Sequence, residues 1–265
     1  MNTRDAVATK MEYIQKVFLG VQMYMQQQHE LEDLILFLES EPPEFRSVAY
    51  EAASMEIALW DLTNGKELDN WKKFYFASAT AHTFHMDIGL GWAFAKTEIS
   101  PTPFFKSLQP AKSWMIFDGI GYYYGLFKGR RTVKNQSIPQ NVIGEDLHGF
   151  DQGLGRRLWY ISKGEVSVLS ELMQPFPISR QGHLWRGVGI ACGYVGGSDR
   201  RRLEQLLKCS TNFKDQLRTG VALAAVSRNA SNSVTADVEL ACEMVCKKPL
   251  KDVLSLQTGI KKLIN

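Results

Sequence analysis

The sequence predicts an all-α protein in which tandem helix-turn-helix repeats form a curved solenoid or a closed α/α toroid. Three observations support this fold class. One short pattern, a charged residue followed by small residues and an apolar run, occurs six times. The charged residues of successive copies are 36, 31, 33, 35 and 32 residues apart, close to the length of one helix-turn-helix unit. Strand signals are weak and limited to residues 160–161 and 166–169.

The six copies centre on four acids and two arginines: Glu51 in YEAASMEIAL, Asp87 in MDIGLGWAFA, Asp118 in FDGIGYYYGL, Asp151 in FDQGLGRRLW, Arg186 in WRGVGIACGY and Arg218 in LRTGVALAAV. The copies alternate between two forms. A small residue directly follows Glu51, Asp118 and Arg186, whereas in the other three copies the first glycine comes two residues after the charge. If every unit places its charge at the same point of the fold, all six charges face one common space.

Hydrophobic periodicity assigns the chain segment by segment. Residues 4–39 carry two apolar stripes, and Pro42 and Pro43 end this region, so we expect an N-terminal helical segment, residues 1–43, followed by a helical-repeat domain, residues 44–265. The predicted helices of that domain are 45–62, 67–96 with a break near Gly89 and Gly91, 113–127, 165–173, 182–195, 199–209, 213–228, 237–247 and 250–256.

Two segments between the predicted helices lack helical periodicity. Residues 99–110 contain three prolines and are predicted as a connection. Residues 129–149 are rich in Gly, Asn, Pro and charged residues, and we interpret them as a long loop that closes over a site as a lid.

Composition narrows the classes of function. A net charge of +3 with scattered basic residues argues against nucleic acid as a partner. Four cysteines, Cys192, Cys209, Cys242 and Cys246, are too few for a disulfide framework in a chain of this length. Cys242 and Cys246 lie four residues apart on a predicted helix and are predicted as small core residues. No segment resembles a signal peptide or reaches the length of about 18 apolar residues that crosses a membrane, so we expect a cytoplasmic protein without an integral membrane span.

The repeat acids are the candidate catalytic residues, because a carboxylate between apolar residues is buried and needs a partner or a proton. We expect Asp118 and Asp87 to act as proton donor or base, with Asp151 and Glu51 tuning them. An internal lattice of salt bridges between the repeat acids and the repeat arginines is the structural alternative.

A second group of residues is predicted to bind substrate. The two arginines would hold a carboxylate or enolate oxygen, the histidines lie near the repeat charges in sequence, and one phenol of the run 122–124 should point where the repeat charge points. These candidates are Arg186, Arg218, His82, His85, Tyr123 and His148. Because the sequence contains no GxSxG, P-loop, dinucleotide fingerprint or HExxH, we expect neither a metal site nor a cofactor.

The strings HMDIGLGWAFAK, IFDGIGYYYGLF, FDQGLGRRLWYI and LWRGVGIACGYVGG together resemble a bacterial family of unknown function, domain of unknown function 1702. The resemblance covers most of residues 44–230. Members of that family occur in enediyne and other natural-product clusters, so the resemblance implies a role in secondary metabolism on a lipophilic intermediate. It carries no established catalytic residues to this chain.

The function that we expect from the sequence is a cofactor-independent acid/base cyclase or isomerase of natural-product biosynthesis. Its partner would be a lipophilic small molecule such as a polyene, polyketide or terpenoid, and a homodimer is possible. Two alternatives stay open: a non-catalytic protein that shields or presents a biosynthetic intermediate, and a helical-repeat module for protein interaction. An enclosed apolar cavity with an unpaired carboxylate favours the enzyme over both.

Overall fold

The computed structural model describes residues 3–27, 30–65, 67–78, 80–108 and 113–255, and in these residues the chain is all-α, as predicted. The α-helices are α1 (Thr3–Met25), α2 (Leu31–Glu39), α3 (Pro43–Thr63), α4 (Asp69–Ala77), α5 (Thr83–Thr97), α6 (Ser113–Phe127), α7 (Asp146–Ile161), α8 (Val166–Met173), α9 (Ile178–Tyr194), α10 (Arg200–Cys209), α11 (Lys214–Ala230), α12 (Ala236–Ala241) and α13 (Leu250–Ser255). Shorter 3-10 turns cover Thr80–His82, Thr102–Phe104 and Thr211–Phe213, and π-helical turns cover Arg130–Lys134 and Cys242–Cys246.

The six helices that carry the repeat pattern, α3, α5, α6, α7, α9 and α11, pack side by side in chain order. Neighbours run parallel. Along α6 and α7, for example, Trp114 lies against Gly149 and Gly125 lies against Arg157. The row closes on itself, because α11 contacts the turn before α5 and the Arg228 guanidinium donates to the Glu44 carbonyl oxygen at 2.6 Å. The repeat helices therefore form a ring whose C-terminal ends all lie on one side.

Glycines of the repeat pattern set the spacing of the ring. A Cβ on Gly153 would lie 1.8 Å from the carbonyl oxygen of Asp118 on the preceding helix. A Cβ on Gly155 would lie 2.0 Å from the carbonyl oxygen of Leu184 on the following helix. The same two contacts recur around the ring, so backbones approach more closely than side chains would permit. Where α3 has Ser54 instead of glycine, its hydroxyl donates to the Met86 carbonyl oxygen at 2.6 Å.

The remaining helices and turns surround this ring. α4, α8, α10 and the α12 region pack outside it, and α1 lies across the C-terminal side. Val17 and Val21 of α1 share one buried cluster with Leu34 of α2 and with the ring helices. Lys10 ties α1 to two other elements, since its Nζ donates to Glu44 and to Asp237 at 2.7 Å each. The described part of the predicted N-terminal segment, residues 3–27 and 30–43, thus packs into the same core as the repeats.

Two predicted element bounds need correction. The break in the predicted helix 67–96 lies between Ala77 and Thr83, and Gly89 and Gly91 lie inside α5, where they face the backbones of α3 and α6. The predicted loop 129–149 contains the turn Arg130–Lys134 and the start of α7. The predicted ends of the 99–110 connection and of the last helix at residue 256 lie outside the described residues. No helix in the described part of the chain is long and apolar enough to cross a membrane.

Candidate functional site

A cavity of about 460 Å³ lies at the C-terminal side of the ring, between the ring helices and α1. Its wall is mostly aromatic and aliphatic, and α1 alone supplies Met11, Ile14, Phe18 and Leu19. Leu19 of α1 and Phe127 of α6 line the cavity and are themselves more than half exposed, so the cavity opens to solvent between them. This volume lies within the range of small-molecule sites, and α1 supplies the outer wall.

Equivalent residues of the six units form a layer around the ring interior. These residues come three positions after the first small residue of each pattern: Met55, Trp92, Tyr122, Arg156, Ile190 and Leu223. Each of them lines either the cavity or a smaller, adjoining cavity of about 40 Å³. Five of these residues are apolar or aromatic. Arg156 is the exception, so the fourth unit places a cation where the others place hydrocarbon.

Glu51 contributes an unpaired carboxyl group to the wall of this cavity. The residue is only 5 % exposed, and its carboxyl forms no hydrogen bond or ion pair with the residues that the structure describes. Burial raises the pKa of Glu51 to about 7, Arg156 acts to lower it, and Asp118 acts to raise it. Near neutral pH this carboxyl is therefore divided between its acid and its base form.

Asp118 holds the cation beside Glu51. Its Oδ1 accepts from Arg156 Nη1, and its Oδ2 accepts from Gln152 Nε2 at 2.7 Å. Asp118 is fully buried, and it does not line the cavity, whereas Arg156 does. The pair thus brings a neutralised guanidinium into the wall, and Asp118 acts on the cavity through Arg156.

Polar and aromatic groups surround these two charges. Arg157 interacts electrostatically with the hydroxyl of Tyr122, whose ring centroid lies 5.0 Å from the Arg156 guanidinium carbon. His85 is buried with its ring centroid 4.7 Å from that of Tyr194. Burial lowers the pKa of His85 well below its ordinary value, with Arg156 and Arg228 adding to the effect, so this imidazole is neutral at physiological pH.

The six repeat charges do not face one common space, contrary to the prediction. Glu51, Asp118 and Arg186 face the ring interior, where Asp118 interacts electrostatically with the other two. The other three charges face outward. Asp87 accepts a hydrogen bond from the Tyr75 hydroxyl, Asp151 pairs with Arg180, and Arg218 donates to the Val245 carbonyl oxygen at 3.2 Å. Asp87, Asp151 and Arg218 therefore do not line this cavity, and the roles predicted for them stay predictions.

The alternation of the two sequence forms explains this separation. Relative to the glycine that contacts the preceding helix, the charge stands one residue earlier in the first form and two residues earlier in the second. One residue turns an α-helix by about 100°. The first form therefore aims its charge into the ring, and the second aims it at the outer layer.

The other predicted binding residues are divided in the same way. His85 and Tyr123 line the cavity. His82 stacks on Tyr50 and interacts with Ser47 at 2.9 Å outside it, and His148 stacks on His183 with centroids 4.0 Å apart. Arg186 lies inside the ring but does not line the cavity. Sequence reasoning missed Arg156 and Arg157, although the run GRRLW in the fourth repeat breaks the apolar pattern of the other copies.

The predicted lid, residues 129–149, does not line the cavity. It packs against the side of the ring instead: the Thr132 hydroxyl donates to the Tyr124 carbonyl oxygen at 3.0 Å, and Arg180 donates to the Gln136 carbonyl oxygen at 3.0 Å. The element that covers the cavity is α1. The apolar stripe of α1 predicts a helix but not this role, because a sequence does not reveal which part of the core encloses a cavity.

No group of three or more His, Cys, Asp or Glu side chains is arranged to hold a metal ion in the part of the chain that the structure describes. No curated protein and no solved structure matches this chain. The model of one protein family, described as protein of unknown function (DUF1702), matches residues 1–262. Because this match spans nearly the whole chain, the protein belongs to that family of unknown function.

Proposed function

We propose that the protein is an enzyme that moves a proton on a lipophilic small molecule, with Glu51 as the acid and base. One observation carries the proposal: a buried, unpaired carboxyl whose burial raises its pKa to about 7 lies on the wall of a cavity lined mostly by apolar and aromatic residues. A general acid/base works best when its pKa lies near the operating pH, because both forms are then populated.

The reaction class follows from what the cavity offers. Neutral Glu51 donates its proton to a carbon of a C=C bond, which leaves a cation on the substrate and a carboxylate on the enzyme. The carboxylate then removes a proton from a different carbon. The double bond has moved, or a ring has closed if a second double bond attacked the cation first, and no oxidant or reductant is consumed.

The surroundings of Glu51 support a cationic intermediate. Trp92, Tyr122 and Tyr123 present aromatic rings to the cavity, and such faces attract cations. The parallel ring directs the C-terminal, partially negative ends of its helices to this side. Arg156 would oppose a nearby cation, but its charge is balanced by Asp118.

The substrate class that we propose is a polyene, polyketide or terpenoid intermediate of natural-product biosynthesis. The apolar wall supports a lipophilic ligand, and the biosynthetic setting comes from the family resemblance alone. The non-catalytic alternative is a protein that shields such an intermediate. It would use the same cavity, but Glu51 would transfer no proton to the ligand.

Loss of proton transfer in Glu51→Gln tests the proposal. The protein is incubated in D2O with an apolar extract of the cells that make it, and deuterium incorporation into extract components is followed by mass spectrometry. We expect Glu51→Gln to lose about 10²- to 10⁴-fold of the wild-type incorporation, the usual contribution of a general acid/base. Glu56→Gln is the matched control, since Glu56 lies on the same helix but does not line the cavity, and its carboxylate accepts a hydrogen bond from Gln22 at 2.7 Å. Equal incorporation by wild type and Glu51→Gln would leave only a binding role.

A further inference from the structure

Large exposed apolar side chains lie at the mouth of the cavity and on the elements next to it. Leu19 and Met23 lie one turn apart on α1, and Phe127 ends α6 on the opposite side of the mouth. Trp60 lines an adjoining groove that shares Gln22 and Lys96 with the cavity. Leu19, Met23, Trp60 and Phe127 are each more than half exposed, although most of the apolar side chains of this chain are in the core.

Cations neighbour these apolar residues on the cavity rim or in the chain. Lys96 is exposed on the rim of the cavity, and Lys128, Arg130 and Arg131 are exposed in the residues that follow Phe127. None of these four forms an ion pair within the described residues. We call the apolar and basic residues together the mouth surface: Leu19, Met23, Trp60, Phe127, Lys96, Lys128, Arg130 and Arg131.

We propose that the mouth surface docks on an anionic lipid bilayer, so that the cavity opens toward the membrane. Two features of the structure select this occupant. Exposed Trp, Phe, Leu and Met side chains beside unpaired Lys and Arg match the boundary between acyl chains and anionic headgroups. The apolar wall is also continuous from the cavity interior to this surface through Leu19 and Phe127, which gives a lipophilic ligand a path that avoids water.

Docking of this kind is peripheral. It depends on apolar side chains that enter the interface by a few ångströms and on charges within one Debye length of the headgroups. It is also independent of the chemistry proposed for Glu51, so Glu51→Gln should bind vesicles as wild type does. Failure of docking and failure of proton transfer are therefore distinguishable.

Vesicle cosedimentation at several salt concentrations tests the proposal. We expect binding to vesicles of phosphatidylcholine and phosphatidylglycerol in equal parts, weaker binding as salt rises, and little binding to phosphatidylcholine alone. Each Lys or Arg near an anionic surface contributes about 1 kcal/mol, about fivefold in affinity, so Arg130→Gln/Arg131→Gln should weaken binding about 25-fold.

Two matched controls separate the mouth surface from general stickiness. Lys208→Gln/Lys251→Gln removes two exposed cations elsewhere, and Phe76→Ser removes an exposed aromatic on α4. Both should bind as wild type, whereas Phe127→Ser should bind more weakly. Equal binding to neutral and anionic vesicles, no vesicle binding at all, or equal losses in control and mouth-surface variants would overturn the proposal. Melting curves establish that each variant is folded.

Discussion

Replacement of Asp118 by Asn removes the counter-charge of Arg156 while keeping the shape of the side chain. Asp118 is fully buried, and its carboxylate is the ion-pair partner of Arg156. Removing one partner of a buried ion pair costs about 3–5 kcal/mol. Because Asn can still accept from Gln152, we expect the lower end, about 3 kcal/mol, which corresponds to a Tm lower by about 6–12 °C in a chain of this size.

The same replacement should change the protonation of Glu51. Asp118 acts to raise the pKa of Glu51 and Arg156 acts to lower it. In Asp118→Asn the guanidinium charge is unbalanced, so the pKa of Glu51 should fall below its value of about 7. At neutral pH Glu51 would then be mostly carboxylate, and the proton donor of the proposed reaction would be depleted.

Infrared spectroscopy measures the pKa of Glu51 directly. The protein is labelled with 13C in its Glu carboxyl groups and titrated with pH, and the band that is lost in Glu51→Gln is assigned to Glu51. Asp151→Asn is the matched control, because Asp151 is equally buried and pairs with Arg180 on the outer face. It should lose comparable stability and leave the pKa of Glu51 where it was. If Asp118→Asn leaves that pKa near 7, or if both variants shift it equally, the assignment of Asp118 to the cavity through Arg156 is wrong.

Two further predictions concern packing and pH. Gly121→Ala should destabilise the ring by at least the ~1–3 kcal/mol of ordinary overpacking, because its Cβ would lie 1.9 Å from the Phe150 carbonyl oxygen; Gly20→Ala, which meets nothing within 4 Å, should be neutral or stabilising in the same urea titration. Burial raises the folded-state pKa of Glu51 to about 7 from 4.5. The contribution of this shift to the free energy of unfolding is therefore fully present below pH 4.5, and ~3 kcal/mol of it is lost as pH rises through 7. The stability difference between Glu51→Gln and wild type should therefore grow over this pH range, and a pH-independent difference would contradict the buried, unpaired state of Glu51.

The all-α fold and the repeats were accessible from sequence because each repeat helix needs small residues at fixed positions. Gly89, Gly153 and Gly220 all meet the carbonyl oxygen of a charged residue on the preceding helix. That requirement leaves a visible period in the chain. The direction of the charges was accessible too, because the one-residue offset between the two forms is in the sequence; counting 100° per residue would have separated Asp87 from Asp118.

The cavity and its cover were not accessible in the same way. The sequence pattern of an apolar helix position is the same whether its side chain fills the core or lines a cavity. The stripe of α1 therefore gives no sign that Phe18 and Leu19 face a cavity. Residues 129–149 are predicted as a lid because they lack the hydrophobic periodicity of a helix and form a long loop. Their hydrogen bonds through Thr132 and Gln136, which hold them beside the ring, depend on partners that are distant in the chain or on backbone geometry.

The ring separates the residues that build the scaffold from those that give the cavity its chemistry. Small residues, mostly glycines, at two positions of each pattern carry the backbone contacts. The residue three positions after the first of them contributes only its backbone to such contacts, and its side chain points inward. A side chain at that inward position can therefore change from Met55 to Trp92 to Arg156 while the ring stays closed. Glu51 stands at the neighbouring inward position, which Asp118 and Arg186 occupy in the third and fifth units and Ile88 occupies in α5. Chemistry in this fold thus depends on which side chains the six units place at these two inward positions, and here Glu51 of the first unit and Arg156 of the fourth line the same cavity.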